Sequence, residues 1–469
     1  MEGWTARMMT SFDSRVYRAL GLMTLLGVAL SVGVLRAAQP RAIPPATPPT
    51  FSADVAPIVY SNCVVCHRPG QAAPFALLTY DDVRKHGATI VDVTTTRYMP
   101  PWHASRAEGF PEFRDERRLS DADLRTLRDW VAAGMPAGDL RKVPLPPSFP
   151  SGWALGVPDL IVRMSRTIDV PADGPDLYRN VTMPVDLPDD RWITAIDFEP
   201  SARGVVHHAL FFSGPATAVV GDDELLPGLG AGLRGGRAGL ADQAWGGLGG
   251  WVPGTMPRFF PDGIAQSLPK HTNLIVQLHL HPSGKAEQEQ GQLAIYFAKT
   301  PPKKSLMGVQ VPPVFGFSAG IDIPAGDNQF TIHDSFTLPV GVEAYGARGH
   351  AHYLAREMKM TATLPDGTTK GILWIKNWDF SWQDSYFFKS PFSLPPGTRL
   401  DATIVYDNSD GNPKNPRTPP VHVSWGRSSF DEMGSLTLLV ASPSGPDADM
   451  LRQAVTQHFR EQLRARYGR

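Results

Sequence analysis

Along this chain the spacing of apolar positions changes character several times, and each change predicts a different element. Residues Ala19 to Leu35 form a 17-residue run without a charge, preceded by Arg7, Arg15 and Arg18 and followed by Arg36-Ala37-Ala38-Gln39. A basic flank before such a run marks an export signal, and the run's length falls between a cleaved signal and a membrane span. Residues 1–38 therefore read as a signal peptide or a retained N-terminal anchor. A Pro-rich linker over 39–50 leads into a compact region, 51–140, which opens with the amphipathic stretch Phe51 to Tyr60. Near its end Ser120 and Asp123 form a helix N-terminus box, Leu124, Leu127, Trp130 and Val131 recur on one face, and Gly134 closes the helix. A second Pro-rich linker spans 141–157.

Beyond it the period shortens to two. Short alternating runs such as Trp192-Ile193-Thr194-Ala195-Ile196-Asp197-Phe198 and Leu400-Asp401-Ala402-Thr403-Ile404-Val405-Tyr406 are separated by Pro, Gly and Asp turns. Alternation of this kind predicts half-buried strands, and the length suits two β-sandwiches, 158–303 and 304–445. Gly228 to Gly250 has neither period and reads as a long surface loop. In the last segment, 446–469, Leu451, Val455, Phe459 and Leu463 lie at near-helical spacing and predict a C-terminal helix. The expected fold class is multidomain: a small all-α domain followed by two all-β, jelly-roll-like sandwich domains.

Composition then narrows the partners. The 469 residues carry a formal net charge of -1, which argues against nucleic acid and against a polybasic membrane-binding face. Proline (45) and glycine (44) are plentiful while charged residues make up 19%, which suits loop-rich β structure better than helical bundles. With an export signature at its start, the bulk of the chain is expected to be periplasmic or extracellular. Membrane attachment is confined to residues 19–35.

Both cysteines of the chain lie in Ser61-Asn62-Cys63-Val64-Val65-Cys66-His67. Cys-x-x-Cys-His is the attachment signature of a c-type haem: two thiols become thioethers on the vinyl groups, and the adjacent imidazole becomes an axial iron ligand. A zinc knuckle needs a second ligand pair nearby, and a thioredoxin-type pair would follow a hydrophobic strand; neither context is present here. One covalent haem c is expected on Cys63, Cys66 and His67, in a small all-α cytochrome c domain whose terminal helix packs across the helix before the motif. No thiol is then left for a disulfide. Met99, in Arg97-Tyr98-Met99-Pro100-Pro101-Trp102-His103, is the favoured sixth ligand because it lies between the motif and the terminal helix. Met135, in Gly134-Met135-Pro136, and His103 are alternatives, and plain burial is the competing reading of each.

Of 13 histidines, six fall in three clusters: His207-His208, His279-Leu280-His281 and His350-Ala351-His352. A His-x-His pair on a strand puts both imidazoles on one face at about a metal-chelate span. Adjacent histidines point to opposite faces of a regular strand, so His207 and His208 share a metal only at a bulge or a strand end. A solvated strand face is the bland alternative for any one pair.

The residues around these clusters carry a resemblance. Val205-Val206-His207-His208-Ala209-Leu210, Val276-Gln277-Leu278-His279, Arg348-Gly349-His350-Ala351-His352, Asp431-Glu432-Met433, and Tyr406-Asp407-Asn408-Ser409 with Asn412-Pro413 resemble the copper type II, ascorbate-dependent monooxygenases. That family includes the peptidylglycine α-hydroxylating and dopamine β-monooxygenases. The resemblance covers about Asp159 to Val440, and the whole chain looks like a fusion of a cytochrome c domain to such a module. It implies two copper ions, one on His207, His208 and His279 and a second on His350, His352 and Met433. A soft thioether favours Cu(I), in keeping with a dioxygen-binding site. His281 matches no ligand of the animal enzymes and stands as a neighbour of the site or an optional ligand. Arg348 matches an arginine that binds the substrate carboxylate in the peptide enzyme. The companion positions hold Ser435 and Thr437 where that enzyme has Asn and Tyr, which argues against peptidylglycine as substrate.

The implied activity is hydroxylation of a C–H bond in a small organic substrate with dioxygen, catalysed at His350, His352 and Met433. Electrons pass one at a time through the His207, His208 and His279 copper, supplied by the haem from a periplasmic donor or an ascorbate-like reductant. The rival readings are a non-catalytic electron-transfer or copper-binding protein, and a redox or dioxygen sensor with an open sixth haem position.

Overall fold

The computed structural model describes residues 47–468 except 72, 151, 216–246 and 444. The signal or anchor expected over 1–38, most of the first linker and most of the loop Gly228 to Gly250 lie outside the described residues. No helix among the described residues is long and apolar enough to cross a membrane.

Five α-helices are seen among the described residues: α1 (Ala56–Asn62), α2 (Tyr80–Lys85), α3 (Gly87–Thr95), α4 (Asp121–Ala132) and α5 (Pro446–Tyr467). Their starts are set by side-chain caps. The Ser120 hydroxyl accepts from Asp123 N at 3.1 Å and the Asp123 carboxylate accepts from Ser120 N at 3.0 Å; Thr79 and Asp82 do the same for α2. The first four helices bury Val59, Val83, Ile90, Leu127 and Trp130 against one another and against Val55, just before α1.

Twenty strands are seen among the described residues. In the first half they are β1 (Leu160–Arg163), β2 (Ile168–Val170), β3 (Leu177–Met183), β4 (Arg191–Glu199), β5 (Val206–Pro215), β6 (Gly249–Trp251), β7 (Ile264–Leu268), β8 (Thr272–Leu280), β9 (Glu287–Glu289) and β10 (Gln292–Phe297). In the second half they are β11 (Lys304–Val311), β12 (Asp322–Ile323), β13 (Phe330–Thr337), β14 (Val342–Ala351), β15 (Ala355–Thr363), β16 (Thr369–Ile375), β17 (Ser385–Leu394), β18 (Arg399–Tyr406), β19 (Val423–Ser424) and β20 (Gly434–Pro443). One eight-stranded sheet, ordered β1-β10-β4-β7-β11-β20-β14-β17, draws strands from both halves. The halves join where β7 and β11 pair in parallel, Ile264 opposite Lys304 and Ala265 opposite Ser305. Two four-stranded sheets, β3-β8-β5-β6 and β13-β18-β15-β16, complete a two-layer arrangement with one apolar core in each half.

These observations correct the expected fold class. The molecule is predominantly β, and no separate small all-α domain is shown: from Pro49 onward the chain is one compact unit. The helices are followed by a strap without helix, bound to two strand edges. Ser105 N donates to Trp374 O and Gly371 N to Gly109 O, both at 2.7 Å, while Arg114 N donates to Phe387 O and Lys389 N to Glu112 O, both at 2.8 Å. Ala104 and Phe113 are buried in the core of the second half. The strap thus covers β16 and β17, each the last strand of its sheet, whose N–H and C=O groups would otherwise stay unpaired.

Candidate functional site

The first histidine set grows from a strand irregularity. The pairing of β5 with β8 shifts register between Val206 and His208, and the extra residue lets two consecutive imidazoles turn toward one point. His279 lies directly opposite His208 on β8, and Tyr178 of β3 stacks on its ring at 4.4 Å between centroids. The ligand atoms of His207, His208 and His279 all fall within 4.8 Å of one another. His208 Nδ1 is 3.2 Å from His207 Nδ1 and 3.4 Å from His279 Nδ1. On its far side His279 Nε2–H donates to Asp176 Oδ2 at 2.8 Å, which fixes the tautomer and leaves Nδ1 with its lone pair toward the cluster. Asp176 also accepts from Ser429 Oγ, and from His281 Nδ1 at 2.7 Å. His281 is therefore held outside the set, with an exposed side chain. Burial raises the Asp176 carboxyl, yet the hydrogen bonds from His279, Ser429 and His281 outweigh it and hold the group below the usual carboxylate range.

The second set is held by the opposite ring nitrogens. His350 of β14 donates Nδ1–H to Gln383 Oε1 at 2.6 Å, and His352 donates Nδ1–H to Asp431 O at 3.1 Å, so each presents Nε2 as its free nitrogen. Met433 precedes β20, and a buried carboxylate ties it to His352. Glu432 accepts from His352 N at 3.0 Å, Leu354 N at 2.6 Å and Met433 N at 3.0 Å. Burial pushes Glu432 up to about 8 against these donors. Gly434 is required by closeness: a Cβ there would stand 1.9 Å from Tyr406 Oη, which donates to Met433 O at 3.0 Å.

The two sets meet at one seam. The rings of His208 and His350 are 6.2 Å apart, and Phe380 lies 4.7 Å from the His207 ring and 5.4 Å from that of His352. A cavity of about 30 Å³, close to the room of one water, is lined by His208, His350, His352 and Met433 together with Tyr178 and Gln277. Phe459 of α5 packs in the same apolar cluster as Met433 and Phe315. Burial, with repulsion from the neighbouring histidines, pushes His207 down to about 3, and burial takes His350 down to about 4; His208 and His352 fall well below the ordinary value for the same reasons. These imidazoles are neutral at pH 7, so protons do not compete for their lone pairs.

Arg348 lies two residues before His350 on the same face of β14, opposite Thr437, as His350 lies opposite Ser435. Its guanidinium has no hydrogen bond or ion pair among the described residues, and desolvation lowers it to about 10. This is a cation placed beside the seam without an acid.

The cysteine motif closes α1. Cys63 and Cys66 form no disulfide, and burial raises both thiols, Cys63 to about 12. His67 donates Nδ1–H to Phe75 O at 3.2 Å, which leaves Nε2 as its free nitrogen. The donor set suits a covalent haem: two unpaired thiols with an oriented imidazole next to them. Met99 and His103 both line a second cavity, of about 750 Å³, between the strap and the loops of the second half; Cys63, Cys66 and His67 do not line it. In that cavity His103 donates Nδ1–H to Asn377 O at 3.1 Å, and its Nε2 is buried without a partner. Met135 is packed elsewhere, its sulfur 2.6 Å from where a Cβ on Gly87 would lie.

Pattern reading missed Asp176, Gln383, Glu432 and Ser429. Only Glu432 had a visible sign, its place beside Met433; the others sit far in sequence from the rings they orient.

No family model matches the chain, and no curated protein matches it. Solved structures similar to it include the major capsid protein P2 from bacteriophage PM2, at 10% identity over 61% of this chain and 98% of that chain, with a TM-score of 0.24. PNGF-II is similar at 12% identity over 60% of this chain and 65% of that chain, with a TM-score of 0.28. The Gx strain of infectious bursal disease virus gives 13% identity over 62% and 74%, with a TM-score of 0.18. Likeness at this level carries no argument about function.

Proposed function

We propose that this chain is an exported copper-dependent monooxygenase that also carries one covalent haem c, as its sequence resemblance implies. The observation that supports it is the pair of donor sets at one buried seam: three Nδ1 atoms on one side, and two Nε2 atoms with a thioether on the other. Copper held there supplies one-electron chemistry toward dioxygen, and the haem on Cys63, Cys66 and His67 supplies electrons singly.

The chain's own residues do the rest. Asp176 orients His279, while Gln383 and the Asp431 carbonyl orient His350 and His352, so none of the three rings has to reorganise when the metal arrives. Glu432 fixes the backbone of His352 to that of Met433. Arg348 offers a cationic anchor for an anionic group of the substrate, since its guanidinium has no acid of its own among the described residues. Tyr178, Phe315 and Phe380 shield the seam from water.

A second reading, a non-catalytic copper electron-transfer protein, is favoured by the 30 Å³ cavity, which is too small for an organic substrate unless the seam opens. One experiment separates the two. Copper-loaded protein with reduced haem is supplied with small organic carboxylates and dioxygen uptake is followed. Substrate-dependent uptake with a hydroxylated product supports the enzyme; its absence across the panel supports the carrier.

A further inference from the structure

The cavity of about 750 Å³ between the strap and the loops of the second half shares no lining residue with the 30 Å³ space at the seam. It is a separate site, of a size that suits a small organic molecule. Its charge is one-sided. Arg97, Arg106 and Arg118 line it from the helical region and the strap, and Arg356, Lys376 and Lys414 line it from the second half; Asp379 is the single carboxylate on the wall among the described residues. On the strap side Asp121 pairs with Arg97, and Glu116 with both Arg106 and Arg118. On the other side Asp407 pairs with Arg356, and Asp379 with Lys414. Three cations against two carboxylates leave one positive charge on each wall. Lys376 carries the second of these: it is exposed, its ammonium lies 4.1 Å from the centroid of the Trp374 ring, and it forms no ion pair among the described residues. The walls are also aromatic. Trp378 donates Nε1–H to His352 O at 3.0 Å, whereas the Trp102 Nε1–H is buried with no acceptor among the described residues. Phe113 and Tyr386 pack edge-on against the Trp102 ring, at 6.3 and 5.1 Å between centroids, and fix its orientation. An unpaired buried donor carries a free-energy cost that an acceptor reaching it removes.

We propose that this cavity binds a small organic dicarboxylate from solution, one carboxylate at the strap wall beside Arg106 and the other beside Lys376, with the carbon skeleton against the two tryptophans. One uncompensated positive charge on each of two facing walls matches a molecule with a negative charge at each end. An inorganic anion would leave most of the volume and both indole faces uncovered. The inference stands apart from the copper and haem reading. The two propionates of a haem carry the same chemistry, but Cys63, Cys66 and His67 do not line this cavity, which favours a free ligand.

The test titrates full-chain protein, as isolated, in a calorimeter with succinate, adipate and terephthalate, and with butyrate, hexanoate and benzoate as their single-charge counterparts. At least one dicarboxylate is expected to saturate with a Kd below about 1 mM and to bind about tenfold or more tighter than its counterpart. Lys376→Gln and Arg106→Gln are each expected to weaken that binding by about tenfold, and the double variant by about a hundredfold, because the two side chains serve different carboxylates. Both side chains are exposed, so neither change threatens the fold. Lys376→Arg is expected to keep the affinity, and Lys285→Gln, at an exposed lysine outside the cavity, to leave it unchanged. No saturable binding by any of the three, equal affinity for the monocarboxylates, or unchanged affinity in both cavity variants overturns the site. Binding seen only in Cys63→Ala/Cys66→Ala protein, which cannot anchor a haem, assigns the cavity to the haem's own propionates and overturns a soluble ligand.

Discussion

The Asp176 carboxylate lies 2.8 Å from Nε2 of His279 while the other ring nitrogen of that histidine faces His208 at 3.4 Å. This single contact decides which nitrogen carries the proton and therefore which one is free for a metal. Asp176→Asn leaves a carbonyl oxygen for only one of the two imidazoles and turns an amide N–H₂ toward the other. Copper affinity at the His207/His208/His279 set is expected to fall by about 10–100-fold, with the His350 set unaffected. Competition with a copper chelator measures both.

Met433 is buried and volume-conserving replacement is mild, so Met433→Leu is expected to cost less than about 1.5 kcal/mol of stability. Loss of the thioether, however, is expected to remove Cu(I) retention at the second set while leaving the first intact. Thermal unfolding and Cu(I) titration together check the claim; equal Cu(I) binding in the variant contradicts a ligand role.

The histidines also make copper-free protein acid-labile. His207, His208, His279, His350 and His352 all have folded values below the ordinary one, His207 at about 3 and His350 at about 4. Above about pH 6.5 both folded and unfolded states keep these rings neutral. As the pH falls below that, the unfolded chain takes up protons that the folded one refuses, so stability is lost progressively toward pH 4. The urea midpoint of copper-free protein is expected to be lower at pH 5 than at pH 7, and an equal midpoint contradicts the burial of these rings as neutral groups.

The strap predicts one unfolding unit. Phe113 is buried against Tyr386 and Phe388, and Phe113→Ala is expected to cost about 3–5 kcal/mol. Calorimetry is expected to show helical-region and β-region signals moving together to lower temperature. A shift of the β-region transition alone would restore an independent helical domain.

Local pattern reached some of this architecture. Leu124, Leu127, Trp130 and Val131 with the Ser120/Asp123 box foretold α4, because helix period and cap are both encoded within a dozen residues. The alternation of Arg399–Tyr406 likewise marked β18, with burial switching at every residue. The strap was invisible: residues such as Ser105 and Arg114 have no period, and what orders them is the unpaired edge of a strand more than 250 positions away. The joining of the two halves at β7 and β11 was invisible for the same reason. At the site the rings were legible as clusters, and the bulge that lets His207 and His208 converge follows from their adjacency. Their orienting partners were not, because Asp176 and Gln383 are ordinary polar residues until folding brings them to an imidazole.

The central claim is that two donor sets at one seam hold copper in a protein that also carries haem. Metal and haem analysis of the full-chain protein, with copper EPR, on the wild type and on His350→Ala tests it most directly. The account predicts one haem and two copper ions per chain, and one copper with an unchanged haem in the variant. Haem without stoichiometric copper, or equal copper in both proteins, would contradict it.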